Sequence, residues 1–202
     1  MKINDSQFAD KKAQSIIELR DLLAQPSDKQ ARPCPDCRVR FGQESTLSAE
    51  NCSFACRYAP RHMSGQPDKY PIEGGIVPLV YALYSLRLVK PCWSCEGHLG
   101  PDKNIHKQPK VWFYSHSEIY PKLIAQTISD LQGKGKIDMC WGVKVLPFSQ
   151  SLFQTTYSIE PVMSVQDLPK LRSDIIIMGQ TLRRELLQLS QGYVKRGVKV
   201  SR

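Results

Sequence analysis

Four cysteines crowd into residues 34–56 of this chain, which read CPDCRVRFGQESTLSAENCSFAC. Cys34, Cys37, Cys52 and Cys56 follow the spacing C-x2-C-x14-C-x3-C. A tight CxxC turn aims two thiolates at one point, and cysteines four apart share one side of a helical turn. Four thiolates closed around Zn²⁺ make a structural site, because no coordination position is left for a substrate. Two disulfides, or four separate buried thiols, are the alternatives. Disulfides belong to oxidising compartments, and the start MKINDSQFADKK has no apolar stretch of a secretory signal.

A second constellation lies in KPCWSCEGH at 90–98. Cys92, Cys95 and His98 are spaced C-x2-C-x2-H, which offers three ligands to a second Zn²⁺. His116 or Cys140 would supply the fourth ligand, or water would. Glu96 sits between ligands, where a carboxylate could act as a base. CWSC also reads as a dithiol redox pair, or as two small buried hydrophobes. On a regular strand Cys92 and Cys95 face opposite ways, so a shared metal requires a bend. If the segments ending in His98 and His116 pair as neighbouring strands, Glu96, His98 and His116 meet in one cleft. Such a cleft suits acid–base catalysis or metal binding.

Two resemblances attach to these motifs. CPDC followed by CSFAC resembles the treble-clef and zinc-knuckle proteins, where a CPxC knuckle precedes a CSxxC helix start. That resemblance implies a zinc fold rather than an activity. Further on, GGIVPLVYALYSL at 74–86, SCEGH at 94–98 and KVWFYSH at 110–116 are similar in order to the wybutosine-type tRNA methyltransferase family. Members carry an I-x-P-L helix, an SCSGR motif and a strand ending in SH. The resemblance implies a pocket lined by Ser94, Cys95, Glu96, His98, Ser115 and His116, with Ser94, Cys95 and Ser115 toward a cofactor. It also implies a role in RNA modification. Here His98 stands where that family has arginine and Glu96 where it has serine, a change that suits a different ligand.

The elements that must position these residues follow from periodicity. Asp5 to Gln25 reads as an amphipathic helix, with Phe8, Ile16, Leu19 and Leu23 on one face and Pro26 beyond its end. Residues 30–71 hold five prolines and little apolar rhythm, so they need a staple other than a core. From Gly74 the pattern turns to α+β. A helix with Ile76, Leu79, Val80, Leu83 and Leu86 leads to a strand at Val89–Cys95. A polar loop at 99–109 and a strand at Val111–Ser115 follow. A helix from Glu118 to Gln132 ends at GKG. Strands at Ile137–Val145 and Phe153–Ile159 alternate and form a hairpin. A long helix from Leu168 to Gln191 closes the order. The expected fold is α+β, a roughly four-stranded and mainly antiparallel sheet packed by helices. The expected division is 1–70, a helix plus a zinc segment, and 71–202, the α+β domain.

The chain has 202 residues, 28 Lys+Arg against 19 Asp+Glu, and a net charge of +9. Apolar residues at 41% exclude a mostly disordered chain. No run nears the ~18–20 apolar residues of a membrane span. A cytoplasmic protein with no membrane partner is the expectation. Arg32, Arg38, Arg40, Arg57 and Arg61 surround the first cysteines with Phe41 and Tyr58 among them. Arg183, Arg184, Lys195, Arg196, Lys199 and Arg202 crowd the C-terminal end. Basic charge interleaved with aromatics suits RNA or DNA. The leading expectation is a zinc protein that binds nucleic acid and modifies RNA. A non-enzymatic zinc adaptor for another protein, and a metal-dependent hydrolase using Glu96, His98 and His116, are the alternatives.

Overall fold

A computed structural model describes residues 6–24, 72–147 and 155–199. Cys34, Cys37, Cys52 and Cys56, and the arginines around them, lie outside the described residues. The elements run α1 (Ser6–Ala24), α2 (Val77–Ser85), β1 (Lys90–Cys95), β2 (His98–Leu99), β3 (Ile105–Lys107), β4 (Lys110–Ser115), α3 (Ile119–Gly133), β5 (Trp141–Val145), β6 (Thr155–Pro161) and α4 (Leu168–Lys199). The fold is α+β, with a four-stranded antiparallel sheet ordered β1-β4-β6-β5 and packed against helices.

Alternation along the strands decides which face the helices cover. Val111, Phe113, Tyr157, Ile159 and Trp141 point into the core and are buried there with Ile76, Leu83, Ile124, Ile175 and Met178 of the helices. Helix α4 forms the spine of this layer. Its Gly179 lies against Pro78 at the start of α2, where an added Cβ would come within 2.5 Å of the Pro78 Cβ. Only glycine allows that approach. Leu19 and Leu22 bring α1 into the same core, so the first helix packs with the α+β unit. Glu18 of α1 accepts a short hydrogen bond from the Ser117 hydroxyl just before α3.

Three places depart from the periodic reading. The strand expected from Ile137 begins only at Trp141. Asp174 of α4 accepts hydrogen bonds from the backbone N–H groups of Asp138 and Met139, both at 2.9 Å, and so withdraws them from any ladder. The polar loop 99–109 contains a small antiparallel ribbon, β2 with β3. Its turn is closed by Gly100 N–H donating to the Asn104 carbonyl and by Asn104 donating to the Asp102 carboxylate. Helix α4 runs past Gln191 to Lys199. The Arg196 guanidinium stacks over Tyr193, and buried Gly197 lies against Ile16 of α1.

No helix among the described residues is long and apolar enough to cross a membrane.

Candidate metal centre

Strand β1 is irregular where the sequence required a bend. Its register against β4 shifts between Pro91 and Trp93, leaving Cys92 on the bulge. Beyond the shift Trp93 pairs with Trp112 and Cys95 with Lys110. Cys95 therefore shares the face of Trp93 and Trp112, away from the helices. Cys92 is exposed and hydrogen-bonds with Tyr114, while Cys95 is buried.

At the end of β1 the chain turns sharply at Gly97, whose φ of +84° is left-handed. A Cβ there would lie 2.8 Å from Leu168 Cδ1 and 2.9 Å from Pro109 Cδ. Glycine is required both by conformation and by space. The turn swings His98 back beside Cys95, and pairing with Lys107 in the ribbon holds it. The ribbon is tied down in turn: Ile105 N–H donates to the Gln166 side chain at 3.0 Å.

Glu73 reaches this corner from the segment before α2. Its Oε1 lies 2.9 Å from His98 Nε2. Its Oε2 accepts the Glu96 backbone N–H at 2.7 Å. One ligand atom each from Glu73, Cys95 and His98 fall within 4.8 Å of one another, so the cluster could hold a metal ion. A tetrahedral ion with ligand bonds of about 2.0–2.3 Å sets its ligand atoms roughly 3.5 Å apart. The Glu73–His98 pair, now 2.9 Å apart, would open slightly to admit the ion between its atoms. Burial pushes the Cys95 thiol above its usual pKa. The Gly97 N–H and the nearby Lys107 and Lys110 pull the other way, while Glu73 adds to the rise.

Glu96 braces the corner from behind. Its Oε2 accepts the Gly75 N–H at 2.6 Å and its Oε1 meets Arg172 Nη2 at 2.9 Å. Both oxygens are engaged, so Glu96 fixes Gly75, and with it Glu73, rather than standing free as a base. Arg172 belongs to α4 and also reaches the Gly97 carbonyl at 3.5 Å.

The other residues singled out from the sequence lie elsewhere. His116 follows Ser115 at the far end of β4, whereas Cys95 and His98 are at the Lys110 end. The length of β4, about 17 Å, separates the two histidines. The expected cleft shared by His98 and His116 is not formed. The His116 ring instead meets the edge of Tyr120, 5.8 Å between centroids. His116 itself is exposed, while Ser115 before it is buried, its hydroxyl donating to the Ser117 carbonyl at 2.7 Å. Ser94 pairs with Val111 and so faces the helix side, away from Cys95. Cys140 precedes β5, three strands from β1 and about 14 Å away. Neither His116 nor Cys140 can be the fourth ligand, and Cys92 is replaced in the trio by Glu73. Nothing local in the sequence links Glu73 to Cys95. Only the packing of the pre-α2 segment on the β1 turn joins them.

Compared with protein-family models, curated proteins and solved structures, the chain matches none.

Proposed function

We propose that this is a zinc protein whose Glu73–Cys95–His98 corner binds the ion with one coordination position left open, and that the site serves hydrolysis of an anionic substrate. The observation that carries this reading is the convergence of a carboxylate, a thiol and an imidazole within 4.8 Å at a half-exposed corner. Mixed oxygen, sulfur and nitrogen donors suit zinc, and three protein ligands plus water are the pattern of catalytic zinc sites. One thiolate and one carboxylate balance the two charges of the ion, so the loaded corner is neutral beside Lys107 and Lys110. Zinc in such a site would supply a Lewis acid and an acidified water.

The chain's own residues do the rest. His98 presents Nε2 because Gly97 turns it inward. Glu96 and Arg172 hold the Gly75 backbone, which keeps Glu73 in reach. Lys107 and Lys110 give the rim the positive charge that an anionic ester would meet.

Native mass spectrometry on the full chain tests the metal. The wild-type protein should carry one more Zn²⁺ than Cys95→Ser. Equal counts would overturn the site. Hydrolysis of bis-p-nitrophenyl phosphate tests the chemistry. It should require zinc and fall by about 10–100-fold in His98→Ala. Zinc binding without zinc-dependent hydrolysis would remove the hydrolytic half of the proposal.

A further inference from the structure

The sheet face opposite the helices carries aromatics that the core does not use. Trp93 of β1 is 44% exposed. It sits across from Trp112 of β4, with ring centroids 4.7 Å apart and planes tilted by 39°. Tyr114 continues the row two residues further along β4, half-buried. An exposed tryptophan beside two half-buried aromatics, on a sheet face that no described helix covers, points to a partner.

The charges on this face indicate which partner. Lys90 pairs with Tyr114 and Lys110 pairs with Cys95, so a lysine stands at each end of the aromatic row. Among the described residues neither lysine makes an ion pair. Lys107 adds a third positive charge close to Cys95. Lys144, on the neighbouring strands, is held by Glu160 at 2.7 Å and contributes less. Lys110 also lies near enough to Glu160 to interact with it electrostatically, yet lysines outnumber carboxylates here, and flat rings between cations match the flat bases and charged backbone of a nucleic acid. Rings two residues apart on a strand are about 7 Å apart, twice the ~3.4 Å rise of stacked bases in a duplex. That spacing suits bases splayed from a single strand. Base stacking on aromatics is sequence-tolerant, because every base has a π-face.

We infer that the Trp93–Trp112 face binds single-stranded nucleic acid by base stacking, with Lys90 and Lys110 on its phosphates. The row ends two residues from Cys95 on the same face, so a strand stacked on Trp93 passes the metal corner. The binding itself does not depend on the metal.

The test is titration of the full chain with fluorescently labelled oligouridylate and oligothymidylate, read by anisotropy and by tryptophan quenching. Trp141 is buried against Asp174, so quenching reports on the Trp93–Trp112 pair. Binding of either oligonucleotide should weaken with salt. Trp93→Ala should weaken binding about tenfold, and Trp93→Tyr should restore most of it. Lys110→Gln should lower the salt slope by about one. Cys95→Ser should leave affinity within about twofold while losing its zinc, so the two readings fail separately. No binding at low salt, equal affinity for duplex, or full affinity in Trp93→Ala would each overturn the inference. Quenching lost along with near-ultraviolet circular dichroism in Trp93→Ala would signal misfolding, and Trp93→Tyr then decides.

Discussion

Two carboxylates, Asp174 and Glu73, each tie a loop to the rest of the molecule, and they do so in opposite ways. Asp174 is 1% exposed and accepts three N–H bonds, from Asp138, Met139 and the Trp141 indole, each at 2.9 Å. Every donor near it is hard and already committed. Glu73 is 35% exposed on its side chain and accepts one backbone N–H. Its other neighbours are an imidazole and a thiol, groups that bind metal as readily as they hydrogen-bond. A saturated carboxylate fixes structure, whereas one left among soft donors can exchange them for a cation.

Breaking that contrast should dissociate stability from metal binding. Asp174→Ala leaves the buried Trp141 indole and two part-buried backbone N–H groups without their acceptor and should cost about 3 kcal/mol in urea unfolding, with zinc content per folded chain unchanged. Glu73→Ala should do the reverse. It should cost about 1 kcal/mol in the metal-free protein and remove one zinc equivalent by native mass spectrometry. If Glu73→Ala proved as destabilising as Asp174→Ala while zinc stayed bound, the two carboxylates would be the same kind of brace.

Gly97→Ala sharpens the contrast, because it leaves every ligand in place and disturbs only the turn that gathers them. A Cβ at φ +84°, 2.8 Å from Leu168 Cδ1, should cost about 1–2 kcal/mol. It should also weaken zinc binding in calorimetry by about tenfold as His98 is displaced. An unchanged affinity would mean that the turn does not position His98.

The smallest effect is expected at a third kind of carboxylate. Glu185 faces three cations, Lys134, Lys136 and Arg184, whose hydrogen bonds hold its pKa down at about 2 from an ordinary 4.5. A lowered folded-state pKa adds stability above the unfolded pKa, and that stability is lost as pH falls through the folded value. The melting-temperature gap between wild type and Glu185→Gln should therefore be full above about pH 4.5 and close toward pH 2. The gap should also shrink with salt, since the partner amines are largely exposed. A gap constant across that pH range would mean that charge is not what Glu185 contributes.

The fold was legible in the sequence wherever one period ruled a segment. Val111–Ser115, the alternation at Val143 and Tyr157, and the apolar stripe of α3 all carry their face in their spacing. It was illegible where a distant side chain decided the backbone, as Asp174 does at residues 138–139. The ribbon 98–107 was hidden because its pairing rests on Asp102, Asn104 and Gln166 rather than on apolar alternation. At the site, Cys95 and His98 were visible through their local spacing. Glu73 was not, because a carboxylate 22 positions before Cys95 obeys no local rule. His116 looked equivalent to His98 until the β1–β4 register put them at opposite ends of a strand.

The most direct measurement is an anomalous-difference map at the zinc edge from crystals of the full chain grown with zinc. A peak is expected at bonding distance, about 2.0–2.3 Å, from Cys95 Sγ, His98 Nε2 and a Glu73 oxygen, with the His98–Glu73 contact of 2.9 Å replaced by coordination. An intact His98–Glu73 contact, with zinc density only elsewhere in the chain, would contradict the central claim.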